Sequence, residues 1–340
     1  MATVFSRTAG GGRSHGPRAT GLRTAWTFTA LGGRQTSRLL VAMAVAVALV
    51  TGTGCATSAR TTTVLDGPPR VVAAENFWGS IAAQLGGGKV GVESIITNPD
   101  TDPHDYDPSA ADARAIADAN VVIENGIGYD PWVTKLLAAN HSSDRQVINV
   151  GTLVGVADGG NPHRWYNPTD VHTVVAAIAA AYAAADPDAA AYFASQRENF
   201  ETTGLAQYTS VISQIKAAYA GTPVGASESI FAMMAPALGL NLLTPPTFLR
   251  AISEGTDPTS ADKQTIDNQI KTHAIKVYVY NSQNATPDVQ AQVNEAKAAG
   301  IPVTTITETM TPASATFQDW QVAQLTALQA ALKAAKGAGS

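Results

Sequence analysis

Two histidines in this sequence lie in short segments that begin and end near prolines, and such segments can hold a metal ion. His104 belongs to the run Asp-Pro-His-Asp-Tyr-Asp-Pro at residues 102–108, and His163 belongs to Asn-Pro-His-Arg-Trp-Tyr-Asn-Pro at residues 161–168. Proline fixes its own backbone angle and favours an extended conformation in the residue before it. Each imidazole is therefore held in place at little entropic cost, as a metal ligand needs to be.

Two carboxylates follow predicted strands in the second half of the chain. Glu228 lies in Gly-Ala-Ser-Glu-Ser-Ile-Phe, where a strand passes into a helix, and Glu308 lies in Ile-Thr-Glu-Thr-Met after the last strand. Two imidazoles and two carboxylates form a ligand set for a divalent first-row metal. Each residue also has an ordinary alternative role, since a helix dipole favours a carboxylate at its start and single histidines are common on surfaces. Spacing alone leaves both possibilities open.

The elements that must position these residues alternate between strands and helices. This alternation predicts an α/β fold with mostly parallel sheets, in which ligands gather at the carboxyl ends of strands. The predicted strands are 71–74, 92–96, 121–123, 146–150, 224–227, 277–280 and 303–306, and the main predicted helices are 77–85, 131–139, 170–185, 229–238, 260–272, 288–299 and 319–335. Ser109 with Asp112 predicts a capping box at the start of a further helix.

A long amphipathic stretch divides the chain into two similar lobes. Large apolar residues between 193 and 219 fall mostly three, four or seven positions apart, which predicts a helix of about 50 Å over residues 187–220. Thr202, Thr203 and Gly204 are a weak point in its middle. We therefore expect an N-terminal lobe at 70–186 and a C-terminal lobe at 221–340, joined by one long rigid helix, with the metal site in the cleft.

The first part of the chain has the pattern of a secretion signal. Arg34 and Arg38 precede the apolar run 39–50, which is shorter than the roughly 20 residues that cross a bilayer. Cys55, the only cysteine, follows small residues as in a bacterial lipobox, although Gly52 replaces the usual aliphatic residue. We predict a leader at 1–55 lipidated at Cys55 and a polar tether at 56–69, with an ordinary secretion signal as the alternative.

Charge and cysteine content exclude several classes of function. The chain has 340 residues and a net charge of −5; the first 60 residues hold seven Arg and no acidic residue, so the rest holds 15 of the 22 basic and all 27 acidic side chains. An acidic body argues against a nucleic-acid partner, because phosphate contacts need basic patches. A single cysteine excludes an intrachain disulfide and a CxxC metal site.

Several segments between about residue 70 and residue 335 match the motifs of a known family in order. They are Pro-His-Asp-Tyr-Asp-Pro at 103–108, Glu-Asn-Gly at 124–126 followed by Trp132, Pro-His-Arg-Trp-Tyr-Asn-Pro at 162–168, Ser-Glu-Ser-Ile-Phe at 227–231 with Leu-Gly-Leu at 238–240, Ile-Ser-Glu-Gly-Thr-Asp-Pro at 252–258, and Glu308-Thr309. The chain resembles the metal-binding solute-binding proteins of bacterial ABC transporters, the zinc/manganese/iron cluster A-I family. Tyr166 and Asn167 stand where the family has Leu and Asp, and Glu308 stands where it has Asp.

The resemblance implies which residues bind the metal. His104 and His163 would come from the first lobe, and Glu228 and Glu308 from the second, around an ion buried between the lobes. Residues near a ligand commonly accept its second N–H. Three polar residues are expected to order the site in this way: Asp102, Asn167 and Ser227.

The resemblance also implies a metal, a partner and a location. A set of two histidines and two carboxylates, without the third histidine or the His-rich loop of many zinc members, favours Mn²⁺ over Zn²⁺, with Fe²⁺ possible. We expect a monomeric, non-enzymatic receptor, anchored as a lipoprotein on the outer face of the cytoplasmic membrane, that serves a permease and its ATPase. A surface adhesin with a structural metal, a metallohydrolase and a receptor for another small solute are the alternatives.

Overall fold

The computed structural model describes residues 67–338, which belong to one unit of the chain. Cys55, the predicted leader and all but the end of the predicted tether lie outside the described residues. Within residues 67–338, no helix combines the length and the apolar character needed to cross a membrane.

The first lobe is built on a four-stranded parallel sheet. Its strands are β1 (Arg70–Glu75), β2 (Gly91–Ile96), β3 (Val121–Glu124) and β4 (Gln146–Asn149), in the order β2-β1-β3-β4. Helices cover the sheet: α1 (Asn76–Gly86), α2 (Ala110–Asp118), α3 (Pro131–Ala139), α4 (Val150–Val154) and α5 (Pro168–Ala185). β1 and β3 are buried almost throughout, as expected for central parallel strands. The Ser109–Asp112 capping box is present.

The second lobe repeats this architecture. Its parallel sheet has the order β6-β5-β7-β8, with β5 (Pro223–Ala226), β6 (Asn241–Leu242), β7 (Val277–Asn281) and β8 (Val303–Ile306). Its helices are α8 (Ser229–Met234), α9 (Pro246–Ser253), α10 (Ser260–Lys271), α11 (Pro287–Ala298) and α12 (Phe317–Ala338). The predicted α/β class is confirmed. The two-residue strand β6 and helix α9 had no sequence prediction, and α8 ends four residues before the predicted 238.

The connection between the lobes is helical but is not one uninterrupted α-helix. A 3₁₀ turn at Pro187–Ala189 leads into α6 (Ala190–Asn199), a π-helical segment at Phe200–Gly204 and α7 (Ala206–Tyr219). The Leu205 N–H donates to the Phe200 carbonyl at 2.8 Å, the wider bond that defines the π turn. The irregularity coincides with the weak point at residues 202–204, where Thr and Gly have low helix propensity.

The lobes share a hydrophobic core beneath the strand ends. Phe77 of α1 stacks on Trp165, with ring centroids 3.9 Å apart, and both belong to the same buried cluster as Phe231 and Phe317 of the second lobe. Helix α12 packs back against α1 and α7. The Phe317 N–H donates to Ser80 Oγ at 2.9 Å across this contact. The carboxyl ends of the two sheets are thus held close together by packing as well as by the connecting helices.

Candidate metal centre

His163 is buried and its ring orientation is set by Asn161. The residue precedes a 3₁₀ turn at Arg164–Tyr166, and its side chain is fully buried. Asn161 Oδ1 lies 3.1 Å from the His163 backbone N and 2.8 Å from its Nδ1. Because the backbone N–H can only donate, it identifies the Asn161 atom as the oxygen, and Nδ1 must then carry a proton. The lone pair of a neutral His163 is therefore on Nε2.

Glu228 lies where β5 passes into α8, and it is 2% exposed. Asn281, the last residue of the neighbouring strand β7, donates from Nδ2 to Glu228 Oε2 at 2.7 Å. This hydrogen bond orients the buried carboxylate. Parallel pairing of β5 with β7 brings the ends of the two strands together.

Glu308 follows β8 and faces His163 across the cleft. Its Oε1 lies 3.6 Å from His163 Nε2, and its side chain is 16% exposed. Gln283 fixes the backbone here, because its Oε1 accepts from the N–H groups of Glu308 at 2.7 Å and Thr309 at 2.9 Å. The carboxylate is consequently presented by a segment whose backbone is anchored.

These three residues form a group that could hold a metal ion. One ligand atom each from His163, Glu228 and Glu308 lie within 4.8 Å of one another. Two ligands on one ion are at most about 4.2 Å apart, twice a bond of about 2.1 Å, so no pair would need to approach by more than about 0.6 Å to come within that limit. Among residues 67–338, no group forms a hydrogen bond with the buried His163 Nε2. Its lone pair faces a carboxylate, an arrangement that a bound cation would stabilise.

His104 lies near this group but outside it. The ring packs edge-on against Tyr129, with centroids 4.9 Å apart, and Tyr129 in turn contacts the ring of His163 at 6.1 Å. Asp102 Oδ1 accepts from the His104 backbone N at 2.9 Å and pairs with Nδ1 at 3.0 Å. The half-buried His104 lines a cavity of about 540 Å³ between the lobes, together with Asp102, Ser253, Gln283, Asn284 and Glu308.

The pKa values of the four candidate ligands are shifted in different directions. Burial, with the Glu308 charge, raises the pKa of Glu228 to about 8. Burial would also raise the pKa of Glu308, but the neighbouring His163, whose Nε2 lies 3.6 Å away, and the charge of His104 lower it below its ordinary value. Burial lowers the pKa of His163. Burial would lower the pKa of His104 too, but Asp102 and the Glu308 charge outweigh it and raise that pKa.

Of the three residues predicted to order the site, the structure brings only Asp102 into contact with a candidate ligand. Asn167 caps α5 instead, accepting from the backbone N–H groups of Thr169 and Asp170, so it does not reach His163. Ser227 acts one step away, because its Oγ accepts from the Asn281 backbone N at 3.0 Å.

Three residues that hold the candidate ligands were missed by the sequence predictions: Asn161, Asn281 and Gln283. Asn161 had a local signal, since it precedes His163 by two residues just as Asp102 precedes His104. Asn281 lies 53 residues from Glu228, whose carboxylate it holds, and Gln283 lies 25 residues from Glu308, whose backbone it anchors. No local pattern indicates contacts at such separations.

Comparisons with known proteins agree with this architecture. A family model described as ZnuA, zinc-uptake complex component A, periplasmic, matches residues 71–331. The manganese-binding lipoprotein MntA of Halalkalibacterium halodurans is 26% identical over 136 residues, which cover 38% of this chain and 44% of that protein. The metal ABC transporter substrate-binding lipoprotein FimA of Streptococcus parasanguinis is 25% identical over 244 residues, 65% of this chain and 75% of that protein.

A solved structure shows the same fold. The Mn-bound periplasmic metal binding protein from Candidatus Liberibacter asiaticus superposes with a TM-score of 0.65 at 20% identity, covering 78% of this chain and 99% of that one. The match to MntA, by contrast, spans less than half of that relative's length. The family model thus covers residues 71–331, and the solved structure shares its fold with 78% of the chain.

Proposed function

Because the chain belongs to the family of ZnuA, zinc-uptake complex component A, periplasmic, we propose that it is an extracytoplasmic receptor for a divalent transition metal. It captures one ion in the cleft between its lobes and delivers it to an ABC permease and its ATPase. Its relatives carry names of binding proteins, among them a substrate-binding lipoprotein of a metal ABC transporter.

One observation carries this proposal. His163, Glu228 and Glu308 come from distant parts of the chain and place their ligand atoms within 4.8 Å of one another, and the buried Nε2 of His163 has no hydrogen-bond partner within the described part of the chain. A buried polar atom without a partner is costly, and carboxylates beside it add repulsion. Binding of a divalent cation would relieve both penalties at once.

His104 is the proposed fourth ligand. Asp102 holds its Nδ1 at 3.0 Å, which leaves Nε2 as the atom able to bind a metal. His104 is less buried than the other ligands and lines the cavity between the lobes. We infer that the three-residue group supplies three of the ligands and that His104 completes the coordination.

Four protein ligands support a binding role over catalysis. A catalytic metal site keeps a coordination position open for water or substrate, whereas this set would close the site. We therefore propose that the protein is a receptor and not an enzyme.

Mn²⁺ is the proposed cargo, with Zn²⁺ the second choice and Fe²⁺ possible. Two carboxylates supply harder donors than a site dominated by histidines, and oxygen donors suit Mn²⁺. Zn²⁺ still binds such a set tightly in vitro, because affinities for divalent metals generally rise from Mn²⁺ to Zn²⁺. Competition between the ions under limiting metal is thus the informative comparison.

We also propose that the receptor is a monomer tethered by a lipid on Cys55 to the outer face of the cytoplasmic membrane. Two relatives are named lipoproteins. Cys55 is the only cysteine of the chain and follows the apolar segment of the predicted signal. Metabolic labelling with a fatty acid, lost in Cys55→Ser, tests this point.

Elemental analysis of the purified chain tests the metal proposal. We expect one equivalent of metal in the wild type, its loss in His163→Ala and in the isosteric Glu308→Gln, and its retention in His141→Ala, a control at an exposed histidine. Mn²⁺/Zn²⁺ competition on the metal-free protein then ranks the two ions. No stoichiometric metal in the wild type, and no thermal shift with either ion, would overturn the proposal.

A further inference from the structure

Tyr166 links the two lobes directly beside the candidate metal centre. The residue ends the 3₁₀ turn that follows His163, and its backbone N–H donates to the His163 carbonyl at 3.1 Å. Its side chain is 2% exposed and crosses to the second lobe. There Oη lies 2.7 Å from the Thr307 carbonyl oxygen, to which it donates, and 2.9 Å from Gln324 Oε1.

Hydrogen bonds fix both the backbone and the side chain of Thr307, the residue before Glu308. Its N–H donates to Gln324 Oε1 at 2.7 Å, and its Oγ1 accepts from Trp320 Nε1 at 2.8 Å. The rings of Tyr166 and Trp320 meet edge to face with centroids 5.7 Å apart. Of these contacts, those made by Tyr166 come from the first lobe.

We propose that Tyr166 is a positioning residue that sets the spacing between His163 and Glu308. A continuous path runs from the His163 carbonyl through the Tyr166 backbone and side chain to the Thr307 carbonyl and then to Glu308. This path joins the two lobes at His163 and Glu308, whose ligand atoms lie 3.6 Å apart. This inference rests on the proposed function, since it assigns a role at that metal site.

The spacing that this link maintains is close to what one ion requires. Two ligand atoms bonded at about 2.1 Å with a tetrahedral angle are about 3.4 Å apart. The pair is therefore nearly in its binding geometry before the ion arrives, and a preformed site avoids the cost of ordering its ligands during binding. Loss of the link should weaken binding chiefly by raising the rate of metal dissociation.

The test compares Tyr166→Phe with Tyr182→Phe in the purified full chain. Tyr182 is also fully buried, and its hydroxyl donates to the Ala82 carbonyl at 3.0 Å inside the first lobe, so its loss removes a similar hydrogen bond away from the cleft. Affinities for Mn²⁺ and Zn²⁺ are measured by competition with a chromophoric chelator, and metal-free thermal stability by calorimetry. For one buried hydrogen bond, we expect Tyr166→Phe to bind about fivefold to tenfold more weakly.

The Tyr182→Phe control distinguishes a positioning role of Tyr166 from a general effect on stability. Both variants should lose similar thermal stability, but only Tyr166→Phe should lose affinity and change the visible spectrum of the Co²⁺-loaded protein, which reports ligand geometry. Equal affinity in Tyr166→Phe and the wild type would overturn the inference. So would an equal loss of affinity in both variants, since that would show a general effect of destabilisation.

A second readout separates this inference from the proposed function. Amide hydrogen exchange at Thr307 and Glu308 in the metal-free proteins should be faster in Tyr166→Phe than in the wild type, and unchanged in Tyr182→Phe. If the wild type binds no metal, the proposed function fails and the positioning role fails with it, while the exchange result still shows whether the link exists. If the wild type binds metal but exchange at Thr307 does not change, only the positioning role is overturned.

Discussion

Asn161 should control metal affinity although it supplies no ligand atom. Its Oδ1 accepts from His163 Nδ1 and the His163 backbone N, and its Nδ2 donates to the Ser229 carbonyl of the second lobe at 2.7 Å. In Asn161→Ala the imidazole loses its shorter contact at Nδ1 and keeps only the Ser229 hydroxyl, whose Oγ lies 3.2 Å from Nδ1 and can donate as well as accept. The other tautomer, with its proton on Nε2, then becomes accessible, and that proton occupies the position of the metal bond.

The size of the effect follows from the hydrogen bonds removed. Each hydrogen bond contributes a net of about 1 kcal/mol. Two of the three act on the metal site, because the bond to Nδ1 orients the metal-binding ring and the bond to the Ser229 carbonyl holds the cleft around it. A loss of about 1.4–2.8 kcal/mol in binding free energy corresponds to an affinity about 10-fold to 100-fold weaker. Removal of hydrogen-bond partners of ligating histidines commonly has an effect of about this size.

Two alanine variants and one aspartate variant make the assay decisive. Asn161→Asp keeps an acceptor for Nδ1, the arrangement that Asp102 makes with His104, but loses the Nδ2 donor to the Ser229 carbonyl, so we expect an affinity between those of the wild type and Asn161→Ala. Asn167→Ala removes the cap of α5 and should lower the free energy of unfolding by about 1 kcal/mol without changing metal affinity.

Chelator competition at a fixed pH provides the affinities, and denaturant unfolding of the metal-free proteins provides the stabilities. Wild-type affinity in Asn161→Ala would refute the tautomer argument. So would a loss of affinity in Asn167→Ala as large as that in Asn161→Ala.

Two further predictions concern protons and packing. Because burial and the Glu308 charge raise the pKa of Glu228 to about 8, we expect metal binding near pH 7 to displace a proton from Glu228. Affinity should therefore rise by up to about tenfold per pH unit towards pH 8 and fall in acid as the imidazoles protonate, His104 with its raised pKa before His163 with its lowered pKa. Calorimetry in buffers of different ionisation enthalpy counts the released protons, and unchanged affinity at pH 5 would contradict the assignment. Phe77→Ala, which removes a fully buried ring stacked on Trp165 at 3.9 Å, should lower the free energy of unfolding by about 3–5 kcal/mol in guanidinium titrations. A loss below about 1 kcal/mol would show that the shared core tolerates the cavity.

Local pattern was sufficient for most of the fold. The Val-rich runs of β1 and β3 and the proline at the start of α3 predicted those elements to within a residue or two. It was insufficient where an element is short or depends on a neighbour. Strand β6 has two residues and exists because the Leu243 and Asn241 N–H groups pair with β5 and the residue before it, a tertiary contact that alternation cannot reveal.

In the linking helix, too, the local sequence predicted part of the structure and tertiary packing decided the rest. Apolar spacing predicted helix from 187 to 220, and low propensity at 202–204 marked the place where the α-helix is interrupted. That the chain continues as a π turn instead of breaking is a matter of packing. Phe200 and Leu205 are both buried in the core on either side of the turn, so the helix absorbs the irregularity while keeping both side chains inside.

The sequence by itself determined which atoms could bind a metal and which lobe each would come from. Residue type and local spacing made the Pro-His segments, Glu228 and Glu308 candidates, and the resemblance to a family's motifs singled them out as a ligand set. Only the tertiary structure decided that His163, Glu228 and Glu308 meet, that His104 stands apart on Tyr129, and that Asn161 rather than Asn167 holds a ligand. These outcomes depend on how the two sheets and helix α12 pack across the cleft. Residues far apart in the chain are brought to hydrogen-bond distance by that packing, and no local pattern specifies it.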